Sequence, residues 1–105
     1  MATEVTTNDL EQAIANGAWV LDVREGWEFE EGHVPAAHHI PLGELADNLD
    51  KVADGERVFV ICAAGGRSMT AANFLESQGI DCVSVAGGTK AWIAEGKTVS
   101  NEPSL

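Results

Sequence analysis

Apolar positions along the chain fall into two alternating rhythms. Ala18-Trp-Val-Leu-Asp-Val23, Val58-Phe-Val-Ile61 and Cys82-Val-Ser-Val85 are short, nearly continuous apolar runs rich in β-branched residues. Runs of this kind predict strands buried on both faces, as in a parallel sheet. Residues 3–5 and 37–40 add two shorter strands. Between the strands the spacing turns helical. Thr6 or Thr7 caps a first helix with the stripe Leu10, Ala13 and Ile14, and Asn16-Gly17 ends it. Residues 25–30 predict one or two helical turns anchored by Trp27 and Phe29 and closed by Gly32. A further helix is expected over 43–49 on Leu42, Leu45, Ala46 and Leu49, and another over 68–78, stopped by Gly79. Gly87-Gly88 turns into a last helix carrying Ala91, Trp92 and Ile93, and residues 97–105 read as a surface tail. Strands and helices alternating at short intervals specify a doubly wound α/β fold. With no repeats and no low-complexity segment, residues 1–105 are expected to form one domain with a core over about 5–99.

The stretch that carries chemistry is Cys62-Ala-Ala-Gly-Gly-Arg-Ser68. Cys62 stands at the tip of the 58–61 strand, and ligands of open α/β sheets bind at the carboxyl ends of strands. Ala63, Ala64, Gly65 and Gly66 carry almost no side chain, so their backbone N–H groups are free to point at the sulfur. Inward amides, the start of the next helix at Ser68 and the Arg67 guanidinium together make an anion cradle. Such settings lower a cysteine from about 8.5 into the range ~3.5–7.5. The plain alternative is that Cys62 is a small core residue. The charge map argues against it, because none of the 17 acidic residues falls between Arg57 and Glu76.

Composition narrows the partners. Six Lys plus Arg against 17 Asp plus Glu give a net charge of −11, which excludes nucleic acid and anionic membrane as expected partners. No apolar run approaches a membrane span and no basic-then-apolar leader opens the chain, so a cytoplasmic location is expected. The two cysteines, Cys62 and Cys82, are not expected to pair, and Cys82 reads as a core thiol. Neither has a companion at zinc spacing, so no metal and no other cofactor is expected.

The order of these signals resembles one family, the rhodanese domain. The resemblance covers residues 5–99 and rests on Leu21-Asp-Val-Arg-Glu25, Trp27-Glu-Phe29, Gly32-His-Val-Pro35, Ile40-Pro41, the Cys62–Ser68 loop, Gly79, Gly87-Gly88 and Trp92. It is to the small single-domain form. It implies a three-layer α/β domain whose five-stranded, mainly parallel sheet has helices on both faces. It also implies a ping-pong sulfurtransferase in which Cys62 takes the outer sulfur of a small anionic donor such as thiosulfate. The resulting persulfide then passes that sulfur to cyanide or a thiol. Arg67 and the amides of residues 63–68 would bind the donor, and an arginine at the end of the loop favours thiosulfate over mercaptopyruvate. Cysteine-dependent phosphatases and arsenate reductases use a similar cradle with five residues between cysteine and arginine, where this chain has four. Their leaving oxygen also needs an acid, and the loop window contains none. A second class of reading is a persulfide relay that docks a sulfur-accepting protein on the acidic surface. A binding module without catalysis is disfavoured because the cysteine is present. A monomer is expected.

Three supporting residues complete the candidate site. Asp22 would bond the loop, and Arg24 either helps bind anions or pairs with a carboxylate such as Glu28 to hold the connection; the second reading is preferred. His33 is expected to be a hydrogen-bonded structural histidine. His38 and His39, being adjacent on an extended segment, should face opposite ways. Trp19, Trp27 and Trp92 are expected in packing, with Trp27 at the border of the pocket. Ser68 is expected first as a helix N-cap and second as a donor to the sulfur.

Overall fold

A computed structural model describes residues 1–104. Five strands, β1 (Thr3–Val5), β2 (Trp19–Asp22), β3 (Ala37–His39), β4 (Val58–Ile61) and β5 (Cys82–Val85), form one sheet in the order β1-β5-β4-β2-β3. Every pairing is parallel. The helices are α1 (Thr7–Ala15), α2 (Gly26–Glu31), α3 (Gly66–Ser77) and α4 (Gly88–Ala94). This is the three-layer α/β architecture that the family resemblance implies, and its five-stranded sheet is parallel throughout.

Strand alternation divides the core in two. Leu21, Val58, Val60 and Cys82 pack with Ala71, Ala72 and Leu75 of α3 on one face. Val20, Ile61 and Val85 pack with Leu10 of α1, Phe29 of α2 and Trp92 of α4 on the other. The small Ala71 and Ala72 are both wholly buried. β4 lies in the middle of the sheet and feeds both cores, which is why its four residues are apolar without a break.

Three expectations are corrected. The helix expected over 43–49 is two 3-10 turns, Leu42–Glu44 and Ala46–Lys51. Asn48 breaks the run with φ −128°, and its side-chain amide donates to the Glu44 carbonyl at 2.7 Å. Local side-chain bonds of this kind compete with helix formation. Second, α3 begins at Gly66 with Gly65 as its N-cap, so Ser68 lies inside the first turn. Third, the segment expected as a surface tail is docked. Ser100 and His33 exchange backbone hydrogen bonds at 2.8 and 2.9 Å. The Trp92 indole donates to the Thr98 carbonyl, and Asn101 donates to Glu30. The His39 amide donates to Ser104 Oγ at 2.7 Å. Only Leu105, the last residue of the expected tail, lies outside the described residues. The docked segment braces the C-terminal end of α2, which carries one wall of the site.

Candidate active site

Cys62 follows β4 directly and is 1% exposed. Its carbonyl accepts from Thr89 N at 2.8 Å, and the Ala63 carbonyl accepts from Lys90 N at 3.0 Å. A trans peptide sends its C=O and N–H in opposite directions. Tying the Ala63 carbonyl to α4 therefore turns the Ala64 N–H toward the sulfur. Gly65, at φ +111°, supplies the left-handed bend that brings its own N–H to 3.1 Å from Sγ.

Ser68 Oγ lies 3.4 Å from the sulfur and 2.8 Å from Ser84 Oγ on β5. Burial pushes the Cys62 thiol up, but the Ser68 hydroxyl and the amides of Ser68, Gly65 and Ala64 outweigh it. The thiol is held below its ordinary value. A hydroxyl has one proton to give. With Cys62 as a thiol, Ser68 Oγ donates to the Gly65 carbonyl at 3.1 Å. When Ser68 turns that proton to a thiolate, Ser84 can supply the bond that Ser68 Oγ then accepts, so the two serines can form a relay. Replacing Ser84 with alanine should raise the midpoint of Cys62 alkylation by iodoacetamide by up to about one pH unit. An unmoved midpoint would show that Ser68 acts without its neighbour. Sequence reasoning missed Ser84, although a lone polar residue inside an apolar strand was a visible signal.

Arg67 stands where the loop ends, but its guanidinium is engaged. Nη1 and Nη2 donate to the two Glu28 oxygens at 2.7 and 2.9 Å, a two-pronged pair across the site. The structure thereby corrects two expectations. The acid-free window exists only along the chain, because α2 brings Glu28 against the loop from 39 residues away. Glu28 is also the partner of Arg67, not of Arg24. Arg24 instead grips Asp22, at 2.8 Å between Nη2 and Oδ2, and donates to the Gly32 carbonyl. Asp22 is fully buried and accepts from Arg24 N as well. It bonds the β2–α2 connection, and no hydrogen bond joins it to the loop among the described residues. His33 is buried, its Nδ1 2.8 Å from the Phe29 carbonyl and its ring stacked on Phe29. His38 stacks on Trp19 and His39 on Phe29, from opposite sides of β3.

Arg67 holds the Glu28 carboxyl down to about 2, against burial that would raise it, with the Glu25 amide assisting. The folded value lies below the ordinary 4.5, so the pair's stabilisation is complete above that pH and disappears as pH falls toward 2. Glu28→Gln should therefore show a shallower loss of stability to denaturant between these pH values than the parent. Parallel losses in the two chains would mean that the pair contributes nothing in solution.

A pocket of about 440 Å³ opens beside the loop, lined among others by Ala63, Arg67, Glu28, Trp27, Thr89 and Lys90. Trp27 is 66% exposed at its border. Thr89 is buried, and its Oγ1 has no hydrogen-bond partner among the described residues. Leaving a buried hydroxyl unpaired costs on the order of 1–3 kcal/mol. Thr89 and Lys90 carried no recognisable motif, and Glu28, although it lies in the Trp27-Glu-Phe29 element, was expected only as a partner for Arg24. Topology brings all three to the loop.

The comparisons agree with this geometry. The sequence model of the rhodanese-like domain matches residues 6–95. Thiosulfate sulfurtransferase GlpE of Actinobacillus pleuropneumoniae is 36% identical over 96 residues, covering 90% of this chain and 89% of that protein. GlpE of Pseudomonas savastanoi pv. phaseolicola is 36% identical over 79 residues, 74% of each chain. The crystal structure of a rhodanese-related protein from Thermoplasma volcanium superposes with a TM-score of 0.90 at 36% identity, covering 95% of this chain and 99% of that one. A cysteine in an amide cradle at the tip of the central strand, on this sheet order and with these relatives, places the chain in the rhodanese-like domain family.

Proposed function

We propose that this chain is a sulfurtransferase that carries a sulfane sulfur as a persulfide on Cys62, with thiosulfate or a similar small anion as donor. The observation that carries the reading is the buried Cys62 sulfur seated in its cradle, with the Gly65 N–H at 3.1 Å and Ser68 Oγ at 3.4 Å, a setting that holds the thiol below its ordinary value. The Cys62 thiolate attacks the outer sulfur of thiosulfate, forming a new S–S bond. The donor's own S–S bond breaks, and sulfite leaves with the electron pair. The persulfide on Cys62 keeps a negative charge, which the same preorganised donors stabilise. A thiophilic acceptor, cyanide or a thiol, then attacks the terminal sulfur and returns Cys62 as thiolate, a two-step covalent transfer. No step requires a proton from a general acid. That suits a pocket in which the nearby carboxylate, Glu28, is held ionised by Arg67.

The similarity to the two GlpE proteins, named as thiosulfate sulfurtransferases, supports the donor class. Exposed Trp27 and Ile93, both lining the pocket, favour an acceptor that is itself a protein, as in a persulfide relay. The test is intact-protein mass spectrometry after incubation with thiosulfate. The expected result is one added sulfur atom, removed by cyanide. No adduct with thiosulfate or mercaptopyruvate would overturn the reading.

A further inference from the structure

The net charge of the chain is −11, yet the proposed donor is an anion. The obvious cation for it, Arg67, already has both prongs on Glu28. Arg24 is likewise committed to Asp22. Of the six Lys and Arg side chains, Arg57 and Lys97 are also ion-paired. Lys51 and Lys90 alone have no carboxylate partner among the described residues. Lys51 ends a 3-10 turn away from the pocket, whereas Lys90 lines it.

Beside Lys90 stands Thr89, 2% exposed, whose Oγ1 is the one buried side-chain oxygen or nitrogen without a hydrogen-bond partner among the described residues. Thr89 lines the pocket, and its buried hydroxyl, left without a protein partner, is suited to a ligand's acceptor atom. Both residues are fixed relative to the nucleophile by their own backbones. Thr89 N is bonded to the Cys62 carbonyl and Lys90 N to the Ala63 carbonyl. A donor whose oxyanion end rests on these two side chains is therefore held in register with the cysteine.

We propose that Thr89 and Lys90, rather than Arg67, form the subsite for the oxyanion end of the sulfur donor. The inference rests on the proposed sulfur transfer. In this subsite the Thr89 hydroxyl donates one hydrogen bond to a sulfonate oxygen, and the Lys90 ammonium supplies the countercharge from the rim. Glu31, which shares the lining without an ion pair to Lys90, opposes the anion. Its removal should act with the reverse sign.

The test uses the full chain with Cys62→Ser, which binds without turning over, and titrates thiosulfate at low salt while following amide and indole NMR signals. Adding Thr89→Val should weaken binding by about tenfold, and Thr89→Ser should restore it. Adding Lys90→Met should weaken it a few-fold, an effect that fades at high salt, while Lys51→Met changes nothing. Glu31→Gln should tighten it. A merely structural threonine behaves differently: Thr89→Val would then lower the melting temperature and leave affinity alone. The subsite predicts an unchanged or higher melting temperature, because an unpaired hydroxyl is lost. Equal affinities across the threonine and lysine variants, or no saturable binding to the Cys62→Ser parent, would overturn the proposal. Its failure separates from failure of the activity. A wild-type chain that gains sulfur from thiosulfate while the affinities stay level loses only the subsite; one that gains none while the affinities shift loses only the activity.

Discussion

Replacing Cys62 with serine should abolish sulfur transfer, a fall on the order of a thousandfold or more, with the far-ultraviolet circular dichroism unchanged. The loss is chemical. Serine keeps the volume of the site and its bonds to Ser68 and Gly65, but an alkoxide at neutral pH is inaccessible and oxygen cannot carry the persulfide. The contrast that makes the prediction sharp is Cys82. Burial pushes that thiol up, and Glu76 and Asp81 push it further the same way. Its sulfur lies 3.1 Å from the Ala72 carbonyl inside the α3-side core. The two cysteines of one small domain are thus driven in opposite directions by their surroundings. Cys82→Ser should leave transfer within about twofold of the parent and cost only around 1 kcal/mol of stability. At a pH slightly below neutral, iodoacetamide should label Cys62 and spare Cys82. Loss of transfer in Cys82→Ser, with Cys62 still reactive, would sink the assignment of a single working cysteine.

What could be read from the sequence divides along a physical line. The five strands and four of the five expected helices follow from period and burial, which act within a few residues, and β4 shows it well: four apolar residues for two cores. The cradle was legible for the same reason, since strand, cysteine, tiny residues and helix start are contiguous. What was not legible is what topology brings together. Glu28 and Arg67 are 39 residues apart, and only the sheet order β4-β2 sets α2 over the loop. An acid-free window in the chain consequently became a site with an acid in its wall. Ser68 failed as an N-cap because the left-handed Gly65 starts the helix earlier, and a serine three places inside turns its hydroxyl to the sulfur and Ser84 instead. The segment after α4 is polar, and polarity hid its docking, because it is held by hydrogen bonds rather than by an apolar stripe.

Gly88→Ala should be the most damaging single-methyl change outside the nucleophile, costing about 2–5 kcal/mol and lowering the melting temperature by at least about 10 °C. Gly88 sits at φ +59°, where a side chain is strained. The larger effect is steric. A Cβ there would lie 2.5 Å from the Cys62 carbonyl oxygen and 2.6 Å from that of Ala63. Neither oxygen can retreat cheaply, because each is the acceptor for a backbone N–H of α4, from Thr89 and from Lys90. Relieving the clash must therefore lengthen those bonds or rotate the Ala63 peptide, and rotating it turns the Ala64 N–H away from the sulfur. The same variant should accordingly raise the pH midpoint of Cys62 alkylation, coupling a packing defect to the chemistry. Gly17→Ala is the matched control. It has a similar positive φ, +84°, but nothing within 4 Å of the added carbon, so it should show the conformational cost alone, about 1–2 kcal/mol. Should Gly88→Ala melt with Gly17→Ala and keep the parent's alkylation midpoint, the junction between loop and α4 is soft. The cradle would then be held by the loop's own residues and not by the helix behind it.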